Sequence, residues 1–417
     1  MNATPWTPEQ AERHLLGLEL FGMRFGLDRM RRLLTALGSP QERFASIHVV
    51  GTNGKSSTVR MTAALLEAHG VPTGAYVSPH LVGFEERVRI GDRDLERPAF
   101  AAAVERAAHA ARLVDRTRPA DDHVTQFELL TAAGFSELAR RGVEVAVIEA
   151  GLGGRYDATN VIPSHVQVLT NVGLEHTRWL GPTIRDIARE KLAVVRDGAV
   201  LVVGDLHPDA AEEARATARA RHARLVEADL TAADALPVAG AYQRRNFALA
   251  MAAARAHLGG LDADAVRRTA EQIHVPGRLQ VVGQAPLTVL DGAHNPAGMA
   301  ALAEAMDELV PAGAPLAAAV SVLDDKDAAG MLRSLVPRCN FLVMCASANP
   351  RALPPATLAS LAEQLGARHV EVVPDPHEAL ARARALAGGD GVALATGSIY
   401  LVADLQRPEG PRVASSL

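Results

Sequence analysis

Ile47-His48-Val49-Val50-Gly51-Thr52-Asn53-Gly54-Lys55-Ser56-Ser57-Thr58 is the stretch on which the reading of this chain turns. The apolar run 47–50 predicts a β-strand, and the residues from Thr58 to His69 predict a helix. A strand that turns through two glycines into a helix N-terminus offers backbone N–H groups to phosphate oxygens, and Lys55 adds a point charge for the outer phosphates. ATP is therefore the first candidate ligand, with Gly51, Thr52, Asn53, Gly54, Lys55, Ser56 and Ser57 as its cradle. The loop is shorter than the standard Walker A pattern, which needs a glycine six positions before the lysine. Position 49 is valine.

Outward from the loop, length and composition bound the fold. A chain of 417 residues exceeds the usual ceiling of about 250–300 residues for one hydrophobic core, so two domains are expected. Hydrophobic residues make up 48% and charged residues 22%, a globular balance. The net charge of -5 argues against a nucleic-acid partner. The N-terminus lacks the basic start and apolar core of a signal peptide, and no run approaches the ~18 apolar residues of a membrane span. Cys339 and Cys345 flank an apolar segment and read as buried strand residues in a reducing compartment. These features predict a cytoplasmic protein, here expected to be a monomer.

Short β-branched runs alternate with alanine-rich helical segments, the pattern of a parallel sheet covered by helices. Strands are predicted at 46–50, 74–77, 143–148, 166–170 and 199–203, with a helix over Phe127 to Arg141. After Pro276-Gly277 the alternation restarts, with strands at 287–290, 316–320, 340–344, 369–373 and 391–395. The expected architecture is α/β: a large P-loop ATPase-like domain over 1–280 with a mostly parallel sheet, and a smaller Rossmann-like domain over 281–417. The arginine-rich segment Glu212 to Arg224 reads as a solvated helix face.

Four further segments place polar residues at predicted strand ends, where open α/β sheets bind ligands. Ser78-Pro79-His80-Leu81 is followed by Phe84, Glu86 and Arg87, although a serine-proline pair also makes an ordinary turn. Glu149 ends the strand of 143–148 and precedes the glycine-rich Gly151-Leu152-Gly153-Gly154-Arg155-Tyr156-Asp157-Ala158-Thr159-Asn160; at a strand tip its carboxylate could ligate Mg²⁺. Thr170-Asn171-Val172-Gly173-Leu174-Glu175-His176 follows another strand, with Glu190-Lys191 beyond it. His176 on its own reads as a structural histidine, because Mg²⁺ prefers oxygen ligands. Asp291-Gly292-Ala293-His294-Asn295-Pro296 opens a helix; Asn295 and Pro296 fit capping positions, whereas Asp291 and His294 need another explanation.

In this order and spacing, GTNGK, SPHL-x-x-F-x-E-R, E-x-GLGGR-x-DATN, TN-x-GL-x-H, the Glu-Lys pair, Pro276-Gly277-Arg278 and DGAHNP resemble the folate branch of the Mur ligase superfamily, the folylpolyglutamate and dihydrofolate synthases. The resemblance spans nearly the whole chain, including the GLELFGMRFGLDRM segment of 17–30, Leu323-Asp324-Asp325-Lys326-Asp327 and Gly397-Ser398-Ile399-Tyr400. It implies an ATP-dependent ligase that phosphorylates a substrate carboxylate and lets the amine of L-glutamate displace the phosphate. The acceptor would be dihydropteroate or a reduced folate.

The resemblance also implies roles. Lys55 would meet the β- and γ-phosphates, and Ser57 a first Mg²⁺, unless Ser56, standing where folate ligases usually carry glycine, takes that contact. Ser78, Glu149 and His176 match the positions that hold a second metal. Lys191 matches a lysine that is carbamylated in many relatives. Asn246 and Arg278 look like nucleotide contacts, and Asp291 and His294 like contacts to the nucleotide and the incoming glutamate, so that domain closure would complete the site. A serine directly after the loop lysine is also the habit of the muramyl-peptide ligases. A non-catalytic nucleotide-binding regulator, a kinase or a simple ATPase would each keep the loop, but would have no need of the later motifs together.

Overall fold

Valine-rich runs that are apolar on both faces can be buried only inside a sheet covered on both sides, and here they assemble two such sheets. The computed structural model describes residues 5–18, 26–119 and 122–407, so residues 19–25 of the 17–30 segment lie outside the described residues. The chain divides into two compact units: Met1–Pro237 with Arg245–Ile273, and Val238–Arg244 with His274–Leu417.

The first unit carries β1 (Ala45–Val50), β2 (Thr73–Tyr76), β3 (Val88–Ile90), β4 (Arg93–Asp94), β5 (Val145–Glu149), β6 (Val166–Leu169), β7 (Val200–Val203) and β8 (Arg224–Glu227). Their order is β4-β3-β2-β5-β1-β6-β7-β8. All neighbours are parallel except the β2-β3 and β3-β4 pairs. β1 is central, paired with β5 on one side and β6 on the other, so the loop leaving it enters the crevice where the strand order reverses. The helix Lys55–Ala68 starts at that loop and buries Val59, Met61, Leu65 and Leu66.

The second unit carries β9 (Gln280–Gln284), β10 (Leu287–Leu290), β11 (Leu316–Val320), β12 (Phe341–Met344), β13 (Val370–Val372) and β14 (Val392–Thr396), in the order β13-β12-β11-β14-β10-β9. Only β9 runs antiparallel to its neighbour. This is the α/β class expected from the alternation of runs, with the predicted strands displaced by no more than two residues at either end.

The differences have physical causes. β4, β8 and β9 escaped the sequence reading because they are edge strands whose side chains are partly exposed, and β3 because it is three residues long and only its first is buried, so all four carry little apolar signal. The arginine-rich helix runs Pro208–Ala220 and stops short of Arg224, which opens β8. Its arginines Arg215 and Arg219 are exposed, so that side is a solvated face, while Glu212 and Glu213 pair with Arg185 at 2.6 Å and Arg189 at 3.0 Å of the neighbouring helix Ile184–Leu192. Cys339 and Cys345 bracket β12 rather than lie in it; Cys345 is buried and Cys339 half-buried, and neither is in a disulfide.

The first unit's core includes Phe135, fully buried against the rings of Phe44 and Tyr76 at centroid distances of 6.2 and 6.0 Å. Phe135→Ala is expected to destabilise this unit by about 3–5 kcal/mol, through lost burial plus a residual cavity. Denaturant unfolding followed by a probe in the first unit checks this, and a loss below about 1 kcal/mol contradicts the packing described.

Candidate active site

Site residues converge because neighbouring parallel strands end at the same edge of the sheet. β1 delivers the loop 51–54, β5 delivers Glu149, β6 delivers Thr170 and Asn171, and β2 leads to Ser78. The loop needs glycine at two points. Gly51 has φ +154°, and a Cβ there would lie 1.8 Å from Thr170 Oγ1; Gly54 has φ +80°, and its Cβ would lie 2.4 Å from Asn246 Oδ1. The β6 tip then fixes the loop. The Asn53 carbonyl accepts from Thr170 Oγ1 at 2.7 Å and Asn171 Nδ2 at 3.2 Å, while the Asn53 N–H donates to Asn171 Oδ1 at 2.9 Å. Gly173 N–H donates to Thr52 Oγ1 at 3.0 Å.

Two amines meet this loop. Lys55 Nζ donates to the Thr52 carbonyl at 3.1 Å, and Lys191 Nζ donates to the Gly51 carbonyl at 2.7 Å. Lys191 belongs to the helix Ile184–Leu192 and is only 4% exposed. Burial, and then the charge of Lys55, pull its pKa down to about 7, against weaker support for the ammonium from Glu175 and Asp157.

Glu149 is the centre of a second cluster. Its Oε1 accepts from Ser56 Oγ at 2.9 Å and its Oε2 from the Ser78 N–H at 3.1 Å. Ser78 Oγ is buried without a hydrogen-bond partner. Ser57, the hydroxyl expected at the metal, is 1% exposed; the hydroxyl that reaches Glu149 belongs to Ser56. His176 stands apart in conformation, at φ 52° ahead of the short helix Thr177–Leu180, with Nε2 3.8 Å from a Glu175 carboxylate oxygen. Among the described residues no three His, Cys, Asp or Glu side chains gather as a metal cage.

The remaining motif residues are largely loop builders. Glu86 accepts the N–H groups of Leu81, Val82 and Gly83 at 2.7–2.9 Å, and Arg87 Nε donates to His80 Nδ1 at 3.0 Å, so the Ser78-Pro79-His80-Leu81 turn is tied down from within. Asp157 does the same for the glycine-rich loop, with Oδ2 accepting Leu152 N–H at 2.8 Å. Asp157 and Thr170-Asn171 stand inside the sequence motifs, which show no role for them; their places next to strand ends were the available signal.

In the second unit Asp291 is 3% exposed and turns inward. Its Oδ2 accepts from Tyr242 Oη at 2.5 Å and Leu279 N–H at 2.8 Å, and its Oδ1 from Ala293 N–H at 2.8 Å. Arg278 packs beside Gly292, where a Cβ would lie 2.3 Å from its guanidinium. His294 Nδ1 donates to the Gly292 carbonyl at 2.8 Å, which makes Nε2 the basic nitrogen of the neutral ring. Asn295 and Pro296 act as expected, capping and opening the helix Pro296–Leu309.

A shortened phosphate loop with a buried lysine on its first carbonyl, followed by a second α/β unit, defines the Mur ligase class. Residues 49–235 match the Mur ligase middle domain, and residues 277–399 the Mur ligase glutamate ligase domain. A probable bifunctional folylpolyglutamate synthase/dihydropteroate synthase of Haloferax volcanii is 37% identical over 95% of this chain and 50% of its own length. The chain thus spans about half the length of the first curated relatives it matches. A dihydrofolate synthase/folylpolyglutamate synthase of Mycobacterium tuberculosis is 35% identical over 85% of this chain and 81% of that protein. Among solved structures, the Mycobacterium tuberculosis folylpolyglutamate synthase complexed with ADP superposes with a TM-score of 0.88 at 32% identity, covering 96% of this chain and 97% of that one. The bifunctional folylpolyglutamate synthase/dihydrofolate synthase of Yersinia pestis complexed with AMPPNP and Mn ion gives 0.84 at 28% identity, with 97% of each chain covered. The chain belongs to the folylpolyglutamate synthase/dihydrofolate synthase family of Mur ligases.

Because Asn171 holds both the N–H and the carbonyl of Asn53, Asn171→Ala is expected to weaken ADP binding by about tenfold, equivalent to roughly 1.4 kcal/mol. Calorimetric titration checks this, and unchanged affinity would show that the loop holds its shape without the β6 tip.

Proposed function

We propose that this chain is an ATP-dependent ligase that joins L-glutamate to dihydropteroate, to the glutamate tail of reduced folates, or to both. The reading rests above all on one observation: the phosphate loop and the Glu149 cluster occupy adjacent strand ends, and Lys191, buried on the helix Ile184–Leu192, reaches the first carbonyl of that loop. ADP and AMPPNP in the two solved relatives support ATP as the phosphoryl donor. In this assignment the region 1–280 handles nucleotide and 281–417 handles glutamate, in a monomeric cytoplasmic protein with small-molecule partners. Among the described residues no helix is long and apolar enough to cross a membrane.

A carboxylate does not acylate an amine in neutral water, because its anion is a poor electrophile and oxide a poor leaving group. In the proposed reaction a carboxylate oxygen attacks the γ-phosphorus, the bond to the β-phosphate oxygen breaks, and ADP leaves. The glutamate nitrogen then attacks the acyl carbon, the carbon–oxygen bond to phosphate breaks, and the nitrogen gives up a proton. Gly54, Lys55, Ser56 and Ser57, at the start of the helix Lys55–Ala68, would present backbone N–H groups to the phosphates, while Gly51, Thr52 and Asn53 shape the loop, the last two with their N–H groups donated to Asn171. The Lys55 ammonium would meet the outer charge, and Asn246 would border the loop at Gly54. Arg278 would contact nucleotide. Asp291 would act through the residues it holds, and His294 Nε2 would orient the incoming amine.

A divalent ion fits the Glu149 cluster: the carboxylate and two serine hydroxyls are hard oxygen donors, and Ser78 Oγ is buried without a partner. Bound there, the ion would neutralise phosphate charge. Ser78 and Glu149 would hold it as the second metal the family resemblance implies, with His176 as its further ligand, and Ser57 or Ser56 would meet the first. Having few protein ligands suits Mg²⁺, which keeps waters and phosphate oxygens in its shell.

Lys191 would work as a carbamate. Its neutral amine attacks CO₂, a C–N bond forms, and the nitrogen loses a proton, so a cation becomes an anionic oxygen donor. Because the pKa is pulled down to about 7, the reactive amine prevails above that pH and the unreactive ammonium below it. At fixed dissolved CO₂, a ¹³C-carbamate signal is expected to rise through pH 7 and to vanish in Lys191→Ala. The same variant should lose roughly 100-fold or more in kcat with its fold intact. Near wild-type turnover would remove the lysine from the mechanism.

The sign for stability runs the same way. The ammonium is favoured in the unfolded chain up to its ordinary pKa of 10.5, so this residue's contribution to stability falls as pH drops from 10.5 to about 7, and is level below that.

Mass spectrometry of products from dihydropteroate and from tetrahydrofolate, each with ATP and L-glutamate, tests the function. Glutamyl addition, with ADP and phosphate formed only when all substrates are present, is the expected result. ADP formation at an equal rate without glutamate would identify a kinase or ATPase instead.

A further inference from the structure

His48 occupies an interior position of the central strand β1, in register with Ile148 of β5 and Gln167 of β6, and is 0% exposed. Val49 and Val50 beside it show what such a position ordinarily holds. A buried imidazole with an unmade hydrogen bond costs about 1–3 kcal/mol, and His48 Nδ1 has no hydrogen-bond partner. Stability therefore does not account for a histidine here, and its other nitrogen indicates what does.

His48 Nε2 lies 2.8 Å from Thr159 Oγ1, and Thr159 Oγ1 lies 2.5 Å from Asp157 Oδ1. Asp157 Oδ1 also accepts the Thr159 N–H at 3.0 Å, and its Oδ2 accepts Leu152 N–H at 2.8 Å; the Gly151 N–H bonds the same carboxylate. Burial raises the pKa of the Asp157 carboxyl, and the hydrogen bonds from Thr159, Leu152 and Gly151 oppose that rise. Because donors are aimed at both its oxygens, Asp157 is assigned as the acceptor. The single hydroxyl proton of Thr159 then points to Asp157, and His48 must donate its Nε2–H to Thr159. Burial holds the ring neutral by lowering its pKa to about 3, so this donation persists across the working range of pH. At the far end of the chain, Gly151 is clasped between the Phe127 ring and Asp157, where an added Cβ would lie 2.7 and 3.2 Å from them. Gly151 is two residues past Glu149.

We propose that His48 is a positioning residue for the ligase reaction: through Thr159 and Asp157 it fixes the Gly151–Leu152 turn, and with it the carboxylate of Glu149 at the phosphate loop. This rests on the proposed ligase function for its kinetic consequences, but its hydrogen-bond direction can be read without turnover.

The test pairs His48→Leu, His48→Gln and Thr159→Val with kinetics, melting and NMR on the full chain. ¹⁵N-histidine spectra of the wild type, with His48 assigned by the signal lost in His48→Gln, should show a neutral ring protonated at Nε2 from pH 6 to 9. A ring protonated at Nδ1, or an imidazolium, overturns the proposal whether or not the protein is a ligase. His48→Leu should melt no lower than wild type, yet lose roughly 10- to 100-fold in kcat and need more Mg²⁺ for half-saturation, with the KM for L-glutamate unchanged. Thr159→Val should lose a similar factor, the double variant little more than either single one, and His48→Gln, which keeps a donor in the Nε2 position, should recover most of the loss. Unchanged kcat in a folded His48→Leu, or losses that multiply in the double variant, would show that His48 does not act through Thr159. If His48→Leu fails to fold, the wild-type tautomer and the Thr159→Val kinetics decide the matter. Absence of ligase activity in the wild type would overturn the functional reading alone, leaving the tautomer result standing.

Discussion

A phosphate cradle made of backbone N–H groups works only if those groups are already aimed when the anion arrives, and four residues at a strand end cannot aim themselves. Here the constraint is met from the neighbouring strand. Thr170 and Asn171 at the tip of β6 hold both the N–H and the carbonyl of Asn53, and Thr170 approaches Gly51 so closely that no side chain could stand there. Parallel pairing of β1 with β6 sets that approach, and pairing of β1 with β5 brings Glu149 to the same edge. The site is therefore a product of sheet order before it is a product of any one residue.

The same crowding explains Lys191. A buried amine on the Gly51 carbonyl, with Lys55 nearby, is held as a weaker cation than an exposed lysine. Low dielectric penalises its charge and a like charge adds to the penalty, whereas Glu175 and Asp157 offset only part of it. A lysine poised near neutrality is chemically different from one that is always charged, and that difference links the packing of the helix Ile184–Leu192 to the chemistry proposed at the phosphate loop.

Much of the fold was legible because buried parallel strands leave continuous apolar runs: Val145–Glu149 and Leu316–Val320 could be read directly. Most of the strands that were missed, such as Arg224–Glu227, are exposed edges in which burial leaves no mark on composition. At the site, the glycines of the phosphate loop and Glu149 at its strand tip were legible as positions. Partnership was not. Nothing in Ser56-Ser57 says which hydroxyl turns toward Glu149, because helix phase decides it; Ser57 is buried, and Ser56 is the one that reaches Glu149. Nor does the pattern around Asp291 reveal that one of its oxygens is occupied by Tyr242 and Leu279, since those partners lie 49 and 12 positions away in the chain. His48 looked like one more residue of an apolar strand, and its meaning depends on Thr159, 111 positions away.

The central claim is that a substrate carboxylate is activated by phosphoryl transfer before glutamate attacks. Turnover with a pterin acid carrying ¹⁸O in its carboxylate, followed by mass analysis of the released phosphate, tests this most directly. One ¹⁸O atom per phosphate is the predicted result, because the carboxylate oxygen that attacks the γ-phosphorus departs with it when the amide forms. Phosphate free of the label, at the same rate of ADP formation, would contradict the account.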